Sequence, residues 1–269
     1  MKDYGMNKSL LQFDILKGYP SLFHFSTTII GGISGGSYST FNLGEYSGDT
    51  PGNISENRRI LTNMLGINRD DLFLPYQVHG DKVVVIDDDF LSSNQMRRKE
   101  LIHGTDALVT GKPGICIGVT TADCVPVLLY DPVNNVLGAV HAGWRSTVAR
   151  IVSKTIRVMN SNFGSSPENV IACIAPSICQ ECFEVGDEVA EIFDKANFPM
   201  DEINYRKESS GKAHIDLQLA NRLLLQSEGV LLHNIEISSY CTCCNPAMFF
   251  SARRQTVNSG RMVTGGVLR

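Results

Sequence analysis

The sequence predicts an α/β protein with mixed, largely antiparallel sheets, and three observations carry the prediction. Runs of β-branched and aromatic residues recur along the chain. Helical apolar spacing is confined to a few separate segments. The two kinds of segment do not follow the regular strand–helix–strand order of a parallel, doubly wound sheet. The 269 residues contain no linker-like stretch, internal repeat or low-complexity segment, so residues 1–269 read as a single domain in which residues 1–20 form an N-terminal extension.

Taken in order, residues 22–44 read as a strand, a flexible loop around Gly31-Gly32 and Gly35-Gly36, and a second short strand. Asn53 or Ser55 can cap a helix whose apolar residues Ile60, Leu61, Met64 and Leu65 share one face, with Gly66 closing it. "LFLPYQVHGDKVVVID" predicts two strands joined at a bend around His79-Gly80, and "DALVT" and "ICIGVTTADCVPVLLYD" follow as further strands. A helix is expected over 146–160, with Val148, Ile151, Val152, Ile156 and Val158 on its apolar side, and others over 186–193 and 216–228. "NVIACIAP" and "NIEISSYC" are strands between and after them.

Composition removes several function classes. Net charge is −4 and the basic residues are scattered, which argues against nucleic acid as a partner. No apolar run approaches bilayer length, so no membrane segment is expected. The first twenty residues lack the basic start and continuous apolar stretch of a signal peptide, pointing to a cytoplasmic protein. The eight cysteines are then expected to be reduced and used for packing, metal or catalysis.

The segment "TADCVPVLLYDPVNNVLGAVHAGW" is the most informative. Two apolar runs flank Asp131-Pro132-Val133-Asn134, a type I turn signal, and pairing Tyr130 with Asn135 sets Cys124 opposite His141 on one face. An arbitrary Cys/His pair is more often packing than chemistry. Here the surroundings argue otherwise: Gly143 leaves room for a ligand, and Arg145 lies at the start of a helix, where an anion is favoured. The thiol and imidazole could act as nucleophile and base, with Asp123 orienting either, or as soft metal ligands. With His79 at a strand end they would form a three-ligand zinc site with an open position. A rival grouping, Cys179/Cys182 with Cys241/Cys244, has the C-x-x-C spacing of structural zinc, but wide separation and missing turn glycines favour buried free thiols.

The motifs "FSTTIIGGISGGSYSTFNLG", "ENRRIL", "QVHG", "TDALVT", "TADCVPVLLYDP", "HAGWRST", "FEVG" and "FFSARR" occur in that order. From about Leu22 onward the chain resembles the YfiH/laccase-domain (polyphenol oxidase, DUF152) family of bacterial purine nucleoside phosphorylases. The resemblance implies a layered α/β/β/α sandwich, zinc on His79, Cys124 and His141, and phosphorolysis of adenosine, inosine, guanosine and methylthioadenosine, with adenosine deamination as a second activity. "IAPSI" stands where the family usually has Gly-Pro, and the tail after Arg253-Arg254 lacks the acidic residue often found there, which bears on the pocket rim. The family's description as a multicopper oxidase fits poorly, because the chain has six histidines and no H-x-H pair.

In that chemistry Arg145 is the phosphate candidate and Arg59 a second contact for phosphate or ribose. Asn42 and Gln77 could bond sugar or base, and Asp123 could move protons. His103 reads as a structural loop residue, and Arg253, Arg254 and Arg261 have no assigned role. The expected partners are purine nucleosides and phosphate, with the protein a monomer or small homo-oligomer. The alternative is a metal-free cysteine hydrolase or deamidase using a Cys124-His141 dyad. A noncatalytic binding role is disfavoured by the polar residues gathered at strand ends.

Overall fold

The computed structural model describes residues 9–256 and 258–269. Among the described residues there are fourteen strands: β1 (Leu10–Leu11), β2 (Leu22–Thr27), β3 (Leu72–Phe73), β4 (Val83–Val85), β5 (Ala107–Thr110), β6 (Cys116–Thr121), β7 (Val125–Asp131), β8 (Val136–Ala142), β9 (Ile171–Ile174), β10 (Glu184–Val185), β11 (Asn204–Arg206), β12 (Ala213–Ile215), β13 (Ile235–Ile237) and β14 (Met262–Leu268). They form a five-stranded sheet ordered β1-β2-β14-β6-β3, a six-stranded sheet ordered β13-β9-β7-β8-β5-β4, and a small sheet ordered β10-β12-β11. Only β3–β6, β4–β5 and β13–β9 pair in parallel among them, so the sheets are mixed and largely antiparallel, as expected.

The two large sheets lie face to face. Leu108, Leu128, Tyr130, Leu137 and Ala139 of the six-stranded sheet meet Leu22, Phe73, Ile117, Val119 and Leu268 of the other in one core. The alternate residues Val109, Val127, Leu129 and Val140 face outward, onto helices α5 (Ile151–Phe163) and α8 (Leu217–Ser227). On the far side, Leu61 and Leu65 of α1 (Pro51–Leu65) pack on Phe25, Cys116, Val263 and Val267. These are the four layers α/β/β/α. Every residue of β7 and β8 is buried, because each face of that hairpin is covered. No helix among the described residues is long and apolar enough to cross a membrane.

Several local expectations are corrected. Asp131 Oδ1 accepts the N–H groups of Val133 and Asn134, and Asn135 takes a left-handed φ of 52°, so the hairpin loop has four residues and Tyr130 pairs with Leu137 rather than Asn135. Cys124 therefore lies just before β7, and His141 pairs with Pro126. The change is two residues, which preserves the facing of every side chain, so Cys124 still shares the inter-sheet face with His141. The helix expected over 146–160 is two, α4 (Trp144–Val148) and α5, broken at Arg150, whose φ is 59°. The strands flanking His79 do not form a hairpin: β3 belongs to the five-stranded sheet and β4 to the six-stranded one. Helix α1 is capped at Thr50 with Pro51 in its first turn, not at Asn53 or Ser55, and the second short strand expected before Gly44 is a 3-10 turn at Gly36–Tyr38.

Residues 9–20 lie ahead of the family-like region yet contribute to the core. Leu10 and Leu11 pair with Thr27 and Ser26, and Phe13 and Leu16 are fully enclosed. Each such side chain contributes roughly 1.5–3 kcal/mol by leaving water. The backbone N–H and carbonyl oxygen of Phe13 stand 2.9 and 3.1 Å from His24 Nε2, which ties the ring to this segment. Burial pushes the His24 imidazole down to about 4. Since the folded value lies below the ordinary 6.5, the unfolded chain binds an extra proton between pH 6.5 and 4, and the stability contributed by neutral His24 is complete above that window and lost on acidification. Urea unfolding at a series of pH values should show a loss on the order of 3 kcal/mol across the window that is missing from His24→Gln; equal slopes in the two proteins would refute the assignment.

Candidate metal centre

The site is organised by Asp106, which precedes β5 and is fully buried. Its Oδ1 accepts the Nδ1–H of His141 at 2.7 Å and the backbone N–H of His79 at 2.9 Å. Its Oδ2 accepts the N–H groups of Gly80 at 2.8 Å and Val78 at 3.2 Å. Burial opposes its charge, but the bonds from His141, Gly80 and Val78 outweigh burial and hold the carboxyl below its ordinary value. The same bonds keep His79 at a left-handed φ of 60°, a conformation that costs a non-glycine residue about 1–2 kcal/mol. One carboxylate thus aims both histidines.

Cys124 comes from the other direction. Between Thr121 at the end of β6 and Val125 at the start of β7, the chain passes from the five-stranded sheet to the six-stranded one. Asp123, with φ 89°, makes the bend. Its carboxylate accepts Thr242 Oγ1–H at 2.7 Å, Ser251 Oγ–H at 3.0 Å and the Arg253 N–H at 2.6 Å, and its carbonyl accepts the Ile178 N–H. The crossover is therefore pinned at Asp123, immediately before Cys124.

The ligand atoms of His79, Cys124 and His141 all lie within 4.8 Å of one another, with His79 Nε2 3.8 Å from Cys124 Sγ. His141 is buried, Cys124 half-buried and His79 exposed, so the group opens to solvent on one side. Gly143 is required here by contact: a Cβ on it would stand 2.9 Å from the His79 ring and 3.1 Å from Cys124 Sγ. Burial raises the Cys124 thiol, but His141 and His79 outweigh it and bring it down to about 6. Burial likewise lowers His141, while Cys124 and Asp106 carry it up to about 9. The pair favours a thiolate in contact with imidazole. With Nδ1 of His141 engaged by Asp106, Nε2 is its available ligand atom, and two imidazoles plus a thiolate fit a single soft or borderline divalent metal.

The other sequence candidates are placed differently. Asn42 is fully buried, donates to Ser47 and Asp49, and accepts the N–H groups of Gly44 and Arg261. Gln77 is clamped to Thr120 of β6 through both its amide atoms. Arg59 pairs with Glu56 on the exposed face of α1. Arg145 is exposed in the first turn of α4, its guanidinium 4.1 Å from the Trp144 ring centre. His103 stacks on Tyr76 in a broad cleft of about 1350 Å3 that the triad does not line. Two residues were missed. Asp106 could have been found as an acid directly before the strand Ala-Leu-Val-Thr; Arg261, partly buried and close enough to Cys124 and Asp123 to feel their charges, gave no local signal.

An α/β/β/α sandwich with a His–Cys–His centre where the chain passes between its sheets defines the class of protein. Residues 23–269 match the family model described as multi-copper polyphenol oxidoreductase laccase, and the chain belongs to that family. It is 44% identical over 259 residues, 96% of both chains, to a purine nucleoside phosphorylase from Bacteroides thetaiotaomicron. It is also 44% identical, over 95% of this chain and 97% of the relative, to adenosine deaminase RL5 from an unknown prokaryotic organism. Among solved structures, Bacillus licheniformis YfiH superposes with a TM-score of 0.90 at 29% identity over 98% of each chain. YlmD from Geobacillus stearothermophilus does so at 0.89 and 28%, over 100% of this chain and 98% of that one. The resemblance read from the TADC and HAGWR motifs therefore holds.

Asp106→Asn should weaken metal binding at the triad by about 10- to 100-fold, because the amide cannot charge-match His141 and the 78–80 loop together. Competition with a chromogenic chelator measures this, and unchanged affinity would remove Asp106 from its assigned role. Gly143→Ala should also reduce affinity, by forcing His79 and Cys124 apart.

Proposed function

We propose that the protein is a zinc-dependent purine nucleoside phosphorylase acting on adenosine, inosine, guanosine and methylthioadenosine, with adenosine deamination as a second activity at the same centre. The observation that carries this reading is the convergence of His79, Cys124 and His141, open on the His79 side, in a chain 44% identical to relatives named for those two activities. Zinc is preferred over a copper cluster because only two imidazoles converge. His24 lies against Phe13, His103 on Tyr76, His214 on Tyr205, and His233 in a separate 3-10 turn.

His79, Cys124 and His141 would hold the ion, and three protein ligands leave a position for water or substrate. When bound, zinc supplies a Lewis acid and a water acidic enough to attack at neutral pH, which deamination requires. Phosphorolysis breaks the bond from ribose C1′ to the purine nitrogen and forms one from C1′ to a phosphate oxygen, through a ribose of positive character. The chain must therefore hold an anion beside the sugar. In this reading Arg145, two residues beyond Gly143, is the phosphate candidate, and Arg261, close enough to Cys124 to feel its charge, is a second. Arg59 would have to leave Glu56 to take part, so the other two arginines take precedence. Asn42, through its bond to the Arg261 N–H, and Gln77, through Thr120, support the walls around nucleoside and phosphate. Asp123 acts in this reading by fixing Cys124, its carboxylate being occupied by three donors.

A second reading has one observation behind it. Cys124, His141 and Asp106 stand in the order nucleophile, base and orienting carboxylate of a cysteine hydrolase. The second imidazole, His79, beside the same sulfur favours the metal.

Purified protein incubated with inosine or adenosine, with and without phosphate, separates the two. The expected result is release of hypoxanthine or adenine with ribose 1-phosphate only when phosphate is present, and loss of that release in Cys124→Ala. Absence of base release, with rapid alkylation of Cys124 in metal-free protein, would overturn the phosphorylase and support the hydrolase.

A further inference from the structure

The two C-x-x-C pairs meet. Strands β9 and β13 run in parallel, pairing Ile235 with Ala172 and Ile237 with Ile174, so the chain leaves both strands at the same end of the sheet. The two exits stay together through the bridge between Ser177 and Cys241, and Thr242 donates its N–H to the Ser177 carbonyl. Cys179 and Cys182 lie on the first exit, in a 3-10 turn, and Cys241 and Cys244 on the second. Their four sulfurs all fall within 4.8 Å of one another, with Cys182 and Cys244 at 3.4 Å. Four thiolates held tetrahedrally on one zinc at about 2.3 Å stand about 3.8 Å apart, which lies between those two values. Sulfurs this close fit a single ion; a cluster of two or four irons divides the four sulfurs among different metals and spreads them further.

The surroundings suit a bound metal. Cys241 Sγ accepts the backbone N–H groups of Cys179 at 3.3 Å and Cys244 at 3.4 Å, so main-chain donors already orient one ligand. A zinc with four thiolates carries a net charge of −2, and two guanidinium groups flank the cluster. Arg253 Nη1 donates to the Cys182 carbonyl at 2.9 Å, and Arg254 Nη1 donates to the carbonyls of Cys243 at 2.7 Å and Thr242 at 3.0 Å.

We propose that Cys179, Cys182, Cys241 and Cys244 form a second, closed metal site that binds one structural Zn2+ and fastens the loops supporting Cys124. The connection is short. Thr242, between two of the ligands, donates Oγ1–H to Asp123, and Ile178, next to Cys179, donates its N–H to the Asp123 carbonyl. The site binds the edge of the six-stranded sheet to the crossover that carries the catalytic thiol. Four protein ligands leave no position for substrate, so its work is structural.

Metal analysis of protein purified under reducing conditions tests the proposal. Wild type should hold two equivalents of zinc, Cys124→Ala one, and Cys182→Ser and Cys244→Ser one each, with a lowered melting temperature. Cobalt-substituted Cys124→Ala should show intense thiolate-to-cobalt charge-transfer bands, since the remaining site is all sulfur. One equivalent in wild type with none in Cys124→Ala would overturn it, as would a Cys182–Cys244 disulfide found by mass spectrometry. Should the serine variants fail to fold, the zinc content and cobalt spectrum of Cys124→Ala still decide, and neither depends on the nucleoside activity.

Discussion

The candidate centre depends on one buried carboxylate. Asp106 accepts three consecutive backbone N–H groups from residues 78–80 and the side-chain N–H of His141. An isolated charge at that depth would be costly, and the four donors make it affordable. In exchange, the loop carrying His79 and the strand carrying His141 acquire a fixed mutual geometry. His79 on its own would not hold a left-handed backbone, and the His141 ring would have no reason to present Nε2 rather than Nδ1.

The second constraint is topological. Strands β6 and β7 follow one another in the chain but lie in different sheets, and the three residues between them are Ala122, Asp123 and Cys124. A crossover at the end of a sandwich exposes backbone that neither sheet can pair; here the Asp123 carbonyl accepts the Ile178 N–H, and the Asp123 carboxylate anchors the bend to other segments. Asp123 collects Thr242, Ser251 and the Arg253 N–H, which draws the C-terminal segment onto the site. Two aspartates thus work from opposite sides: Asp106 holds the histidines and Asp123 holds the cysteine. The four-cysteine group lies immediately behind Asp123, and the arginines that follow Ser251 tie it to the same segment.

Much of this was legible in the chain, and the parts that were legible share a cause. Periodicity and turn chemistry are local, so the strands 125–131 and 136–142, the helix closed by Gly66 and the helix capped by Asp216 could be read directly. The hairpin register was misread by two residues, because Asn135 adopts a left-handed conformation that lengthens the loop. The shared face of Cys124 and His141 survived because strand facing repeats every two residues. The break at Arg150 was hidden by an apolar pattern continuous across both helices.

By itself the sequence determined the class of fold, the family, and the three residue types whose chemistry suits a metal, since these rest on residue identity and local spacing. Only the tertiary structure decided which groups meet. In the chain Asp106 shows only as an acid before a strand; what it binds is not readable there, because its partners lie up to 35 residues away. Arg261 reaches Cys124 only through the pairing of β14 with β6. The two C-x-x-C pairs, too widely separated in sequence to be joined by spacing, converge because β9 and β13 are parallel neighbours leaving the sheet at one end. Convergence of that kind follows from strand order, which depends on how whole faces pack against one another and leaves no mark at any single position.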